Sequence, residues 1–346
     1  MSRHLATSWG SHNMNAIPFN VIYPYLNITN LIKLSQTSNT FKRKIYDIKS
    51  FKYTIGTFND GILLLRTFKN VELVIRDPIY FTDEQISQLV NLVVLDLNYN
   101  RKVTSDGIKS LFNLNTLYLC VNTKIKDRGI KDLVNLTDLN LGNNTKITYE
   151  GIKNLTNLTT LDLSGNRKIT DGCINCLTRL RTLSLCSNMK ISDRGIMSLT
   201  NLTSLDLGYS RRITDYGIRG LVNLTSLNLI YNMKITDYGI RGLVNLTSLN
   251  LSYNRRITDY GIRGLVNLTS LNLTQSEEIT DDGIRDLVRL TTLNLYCNIQ
   301  ITDAGIRHLV NLTSLDLSVT GITHACIKEL VGRCTRLKVM GHVFCP

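Results

Sequence analysis

Leu199–Gly220 reads LTNLTSLDLGYSRRITDYGIRG, and the spacing of its apolar residues decides the fold. Leu205 and Leu207 lie two apart and share one face of a strand, while Ser204, Asp206 and Gly208 point the other way. Ile213 leads into Thr214-Asp215-Tyr216-Gly217-Ile218, which reads as a short helix. Thr214 is placed to cap it, and Asp215 suits its electropositive first turn. Ile218 and Leu221, three apart, close the buried side. One such unit cannot bury its own apolar face; it needs a copy on either side.

The copies are present. Eleven consecutive segments from Leu89 to Glu329 carry the pattern with a 22-residue period, the last one residue shorter. Such a period overrides the two or three ordinary domains that 346 residues would suggest. Stacked units predict an α/β solenoid with a parallel sheet on one side and short helices on the other. Strands sit about 4.8 Å apart and helices need more width, so the stack is expected to curve into a horseshoe with the sheet on its concave face. The seventh and eighth units differ only at Ile230/Ser252, Met233/Arg255 and Lys234/Arg256, which points to recent duplication.

Three recurring positions read as scaffold. Gly217 and its equivalents from Gly107 to Gly305 fall inside the helix, where glycine costs about 0.5–1 kcal/mol relative to alanine; helix and sheet are expected to approach too closely there for a side chain. The fourth unit has Cys173 at this position and Gly172 before it, so a local rearrangement is expected. Asn100, Asn122, Asn144, Asn166, Asn188, Asn232, Asn254 and Asn298 follow the strands and predict a buried amide ladder, with Ser210, Ser276 and Thr320 as replacements. A second asparagine column, which includes Asn91, Asn113, Asn201 and Asn223, is expected at left-handed helix ends. The Asn-Leu-Thr triplets at Asn135, Asn157, Asn201 and Asn223 match a glycosylation acceptor but recur because the unit recurs.

These units resemble the cysteine-containing subclass of the leucine-rich repeat family, whose members read L-x-x-L-x-L-x-x-C/N-x-x-I-T-D-x-G-I. The resemblance covers roughly residues 67–345. It extends to a degenerate unit at 67–88, with Leu73, Ile75 and Ile86 in place, and to a longer capping unit around Cys334, Leu337 and Met340. Phe58-Asn-Asp-Gly-Ile62 reads as a weaker unit still.

The composition is 43% hydrophobic with a formal net charge of +13. No apolar run is long enough for a transmembrane helix, and no secretory signal is expected. Eight cysteines are too sparse for a disulfide scaffold, so the cytoplasm or nucleus is the expected setting. The positive charge permits an acidic protein or a nucleic acid as partner.

Three exposed columns are expected on the concave face. From them Asp96, Tyr118, Asp138, Asn140, Asp162, Ser184, Asp206, Asn228, Asn250, Asn272, Asn294, Tyr296 and Asp316 are the candidate target-binding residues. Small and polar groups dominate, with few of the aromatic or arginine anchors that carry binding energy. Such anchors are expected at the rim, at Tyr99, Tyr209, Tyr231 and Tyr253, beside the basic stripe Lys102, Lys124, Lys146, Lys168, Lys190, Arg212, Lys234 and Arg256. That stripe suits an acidic target protein, simple solubility or, less well, nucleic acid, since no groove-entering element accompanies it. A second basic column, Lys109 to Arg307, belongs to the helices and reads as a solvated face. Tyr216, Tyr238 and Tyr260 beside it are expected to pack on neighbouring helices.

Catalytic signals are weak. Cys173-Ile-Asn-Cys176 has a metal-like separation without a second pair. Cys326, Cys334, Cys345, His324 and His342 cluster near the carboxyl end, where a packed cap explains them. Neither an enzyme, a metal nor a cofactor is expected.

The amino-terminal stretch abandons the period. Residues 1–16 read as a flexible tail. Ile17-Pro18 with Val21-Ile22, then Leu26, Asn30-Leu31 with Leu34, and Ser38 with Phe41, resemble an F-box, a compact helical motif whose family members bind the adaptor subunit of a cullin-based ubiquitin ligase. The resemblance places Pro18, Val21, Ile22, Leu26, Leu31, Leu34 and Phe41 in the motif's apolar core or adaptor-facing surface. The segment between Ile22 and Leu31 is about three residues shorter than the usual motif, and a plain helical cap is the alternative. The expected organisation is an F-box-like module at 17–47, a linker with a degenerate repeat at 48–88, repeats at 89–329 and a cap at 330–346. The combination resembles the F-box/leucine-rich-repeat substrate receptors, in a version like those of large DNA viruses of amoebae such as mimivirus. It implies a monomer outside its complex, a host-cell ligase adaptor as partner, and a stand-alone interaction scaffold as the alternative.

Overall fold

The computed structural model describes residues 26–37, 43, 51–68, 71–76 and 80–339. Its strands form one sheet of fourteen, all parallel and in chain order. Each strand pairs with the equivalent residues one unit on, as Ser204, Leu205 and Asp206 do with Ser226, Leu227 and Asn228. The sheet begins upstream of the regular repeats, at Phe51–Thr54 and Val71–Ile75, and ends at Arg336–Lys338. The pairing slips by one residue between Leu73 and Val74, where irregular coils meet the strict period.

One continuous aliphatic core runs along the stack. Leu199, Leu202, Leu205, Leu207, Ile213 and Ile218 of the sixth unit, and Leu221 at the start of the seventh, are at most 1% exposed. Each buried side chain of this size contributes about 1.5–3 kcal/mol, so the stack and not any single coil is the stable object.

Most helices are one turn long, as at Asp215–Ile218. A single turn is too short to form alone, so each is held from outside. Thr214 Oγ1 accepts from the Tyr216 amide at 3.3 Å, and the Thr214 amide and hydroxyl donate to Asp193 of the preceding coil, both at 2.7 Å. Asp215 repeats this for Thr236. The aspartate that sequence places at a helix start thus also ties its coil to the next.

The same contact corrects the reading of the glycines. A Cβ on Gly217 would meet Asp193 Oδ1 at 2.5 Å and its Cα at 3.1 Å. The close approach is between successive helices, not between helix and sheet. The fourth unit keeps its single turn at Asp171–Ile174, and Cys173 accepts from the Thr170 amide at 3.4 Å. Its rearrangement is an exchange of hydrogen-bond partner.

The amide ladder forms as expected. Asn166 donates to Leu141 O and Asn144 O, both at 3.0 Å, and accepts from the Lys168 and Ile169 amides at 2.9 and 3.0 Å. The second asparagine column differs from expectation: none of it is left-handed. Asn201 and Asn223 instead donate to Thr178 O and Thr200 O of the preceding coil, both at 2.9 Å. The left-handed residues are those just after the strands, with Tyr209 at φ 55°, Tyr231 at 51° and Tyr253 at 57°.

At the amino-terminal end, the helix Ile28–Thr37 places Leu31 in the solenoid core, and Tyr53 donates to Leu26 O at 2.8 Å. Leu34 is half-buried against the same core. Pro18, Val21, Ile22 and Phe41 lie outside the described residues. At the other end Cys326 and Cys334 are buried, while His342 and Cys345 lie outside the described residues. Burial pushes both described thiols above the usual range.

Candidate interaction surface

The solvent-facing strand residues have a local duty before any binding duty. Asp206 Oδ1 accepts from the Gly208 amide at 2.8 Å, Asn228 from Ile230 at 3.1 Å and Asn250 from Ser252 at 3.0 Å. Asp96, Asn140, Asp162, Asn272, Asn294 and Asp316 do the same two residues on. This side-chain turn caps each strand. It needs one oxygen, which aspartate and asparagine both supply, so the second group is free to vary in charge.

Tyr118 and Ser184 lack such a side-chain oxygen. At Tyr118 the Cys120 amide donates instead to Asn98 Oδ1 of the preceding coil at 2.7 Å. Ser184 Oγ lies 2.8 Å from Ser164 Oγ.

The free groups divide the sheet face in two. Asp96, Asp138, Asp162 and Asp206 make its first half acidic. Asn228, Asn250, Asn272 and Asn294 are paired in direct register and make its second half an uncharged run of carboxamides. At the far end Asp316 meets Lys338 at 3.2 Å. Burial works to raise the Asp316 pKa, but hydrogen bonds from Ser318 and the Lys338 ammonium hold it below the usual carboxylate value. From sequence this floor reads as dominated by small and polar groups. The division was visible in the order of Asp and Asn, but only once the shared turn duty is removed does it stand out.

Two thiols sit in the acidic half. Burial, then the charge of Asp162, pushes the Cys120 thiol up; burial and Asp206 do so for Cys186. At both, burial and the nearby carboxylates favour the thiol over the thiolate.

At the rim, Tyr209, Tyr231 and Tyr253 stack on one another, with centroids 4.8 and 4.2 Å apart. Shielding from water, then the neighbouring phenols of Tyr253 and Tyr209, raises the Tyr231 pKa. Tyr99 stands five coils away from this stack and is 68% exposed. Lys102, Lys124, Lys146, Lys168, Lys190, Arg212, Lys234 and Arg256 are all exposed beside it.

Comparison with known proteins agrees with this architecture. A family model described as Leucine Rich repeat matches residues 88–112, 132–155, 154–172, 198–222, 242–266 and 264–288. An internalin from Listeria monocytogenes aligns over 91% of this chain and 94% of its own, at 24% identity and a TM-score of 0.57. The chain is a leucine-rich repeat solenoid. Mouse RP105, solved in complex with MD-1, shares the fold at 20% identity and a TM-score of 0.56 over 84% of this chain and 54% of that one. Yeast Rad7, solved in complex with Elc1, does so at 18% identity and a TM-score of 0.54 over 88% and 87%. No curated protein sequence matches the chain. In this leucine-rich repeat solenoid the invariant side chains hold the coils together, and the variable ones face solvent in columns. No helix among the described residues is long and apolar enough to cross a membrane.

Proposed function

We propose that this leucine-rich repeat protein is a non-enzymatic protein-binding scaffold that holds a target on its sheet face. The division of that face carries the reading. An acidic half and an amide half, both built on strands, present carboxylates to a basic region of one partner and carboxamide NH2 donors to its hydrogen-bond acceptors, in fixed order. Asp138→Asn with Asp162→Asn removes both charges while keeping the oxygens that accept from Thr137 and Ser164. This variant is expected to abolish capture of the target recovered by affinity purification from host cells, with unfolding unchanged. Full retention would move the target elsewhere.

The amino-terminal resemblance extends this to a substrate receptor, in which residues 17–47 bind the adaptor of a cullin-based ubiquitin ligase of the host cell. Ubiquitin transfer would then follow from proximity. Rad7, solved in complex with Elc1, is a solenoid of this fold that assembles with a second protein. Leu31 is committed to the solenoid core, so Leu31→Asp would unfold the cap as well as break docking. Leu34 packs against the same core, so Val21→Asp with Ile22→Asp is the sharper variant, checked for unchanged thermal unfolding. Adaptor pull-down by wild type and its loss in this variant supports the receptor. No pull-down by wild type leaves the stand-alone scaffold, which the burial of Leu31 and the Tyr53–Leu26 hydrogen bond favour.

A further inference from the structure

On the helix side, an acid three residues before the terminal cation neutralises it in three coils. Lys109 meets Asp106 at 2.8 Å, Lys153 meets Glu150 at 2.5 Å, and Arg285 meets Asp282. In the sixth, seventh and eighth coils the acid is replaced by Tyr216, Tyr238 and Tyr260. Arg219, Arg241 and Arg263 lie over those rings instead, at 4.9, 4.7 and 5.0 Å from the centroids. Arg241 also covers Tyr260 at 5.4 Å and donates to its hydroxyl at 2.5 Å.

A ring face orients a guanidinium without cancelling its charge. Asp215, Asp237 and Asp259 begin these helices, but their carboxylates are held by Thr236, Thr258 and Thr280 of the following coils. None of the three arginines forms an ion pair among the described residues. The tyrosines are 57%, 66% and 45% exposed, and Tyr260 packs on the neighbouring helix through Arg241. Each arginine is followed by a glycine, Gly220, Gly242 or Gly264, beside which space is open. Val222, Val244 and Val266 follow one buried leucine later, each about half exposed.

We infer that this Tyr–Arg–Gly–Val strip is a second interaction surface, on the side opposite the sheet, and that its occupant is an acidic polypeptide segment laid along the three coils with carboxylates on Arg219, Arg241 and Arg263. Tyrosine and arginine are the side chains that carry most interface energy, and bidentate carboxylate binding suits the guanidinium. The glycines let a backbone approach, and the valines give its apolar side chains a seat. Nucleic acid fits less well: Arg241 sits over both Tyr238 and Tyr260, which limits ring surface for base stacking, and phosphates gain nothing from the valines.

The test uses the full chain and a fluorescein-labelled Glu-rich peptide with interspersed Leu, followed by anisotropy. The peptide binds wild type. Arg219→Gln/Arg241→Gln/Arg263→Gln weakens binding about tenfold, as expected for three exposed charge pairs. Tyr216→Glu/Tyr238→Glu/Tyr260→Glu keeps every arginine but restores the pairing of the Glu150 coil, and weakens binding as much. Lys146→Gln/Lys168→Gln/Lys190→Gln removes the same charge from the rim and changes binding less than about twofold. All three variants keep the wild-type thermal unfolding curve, because the altered side chains are exposed. No peptide binding by wild type, an equal loss in the rim variant, or a duplex oligonucleotide that displaces the peptide with the same arginine dependence overturns the proposal.

Discussion

Asp193 Oδ1 lies 2.5 Å from where a Cβ on Gly217 would stand, because both oxygens of Asp193 reach across to hold Thr214. The aspartate of one coil and the glycine of the next are therefore a single device. Gly239 with Asp215, Gly261 with Asp237, and Gly283 with Asp259 repeat it. Tyr149 breaks the aspartate column, and the coil that follows it carries Cys173 instead of glycine.

Gly217→Ala should cost about 1–3 kcal/mol, the range for an overpacked core. Asp193→Ala should cost about 1.5–3 kcal/mol through the lost bonds to a charged group. The double variant should lose less than the sum, since the oxygen that clashes is gone. Urea unfolding of the four proteins measures the coupling, and strict additivity would refute the shared device.

At the broken position the sign should reverse with background. Tyr149→Asp alone brings a carboxylate against Cys173 and destabilises. In a Cys173→Gly background the same change supplies the missing acceptor for Thr170 and stabilises by about 1–2 kcal/mol. The urea midpoints of the single and double variants decide it.

Ser210 interrupts the amide ladder, and its buried hydroxyl has no hydrogen-bond partner. Ser210→Asn should restore the four bonds that Asn166 makes and raise stability by about 1–2 kcal/mol. Ser276→Asn should gain less, because the Ser276 hydroxyl already donates to Leu251 O at 2.5 Å. Equal gains at both sites would show that the ladder bond count is not what matters.

The raised Cys120 and Cys186 thiols should alkylate slowly at neutral pH. Their rate with iodoacetamide should rise with pH along a curve displaced to higher pH than that of an unstructured cysteine peptide, because the neutral thiol is the favoured form until burial and the nearby carboxylates are overcome. Mass spectrometry of the modified peptides reads each site. A midpoint at or below that of the peptide would mean that these sites are more polar than the geometry implies.

The leucine spacing of a strand and the recurrence of the Asn166 position are local and periodic, so the sheet, the core and the amide ladder were legible in the chain. The strand-face columns were legible too, as a list of exposed side chains. What each side chain does there was not, because its partners come from the neighbouring coil. Asp215 reads as a helix-start residue until its carboxylate is seen to hold Thr236 of the next coil. Gly217 reads as a helix–sheet contact until Asp193 is seen beside it. Tyr238 reads as packing until Arg241 is seen over its ring.

By itself, then, the sequence determined that the chain stacks into a parallel solenoid, because a 22-residue period of aliphatic side chains has no other way to leave water. Only the tertiary structure decided which polar groups remain for a partner. A hydrogen bond or ion pair between coils joins residues about one period apart, and whether an aspartate is consumed by such a bond or left facing solvent depends on a distance that no single repeat contains.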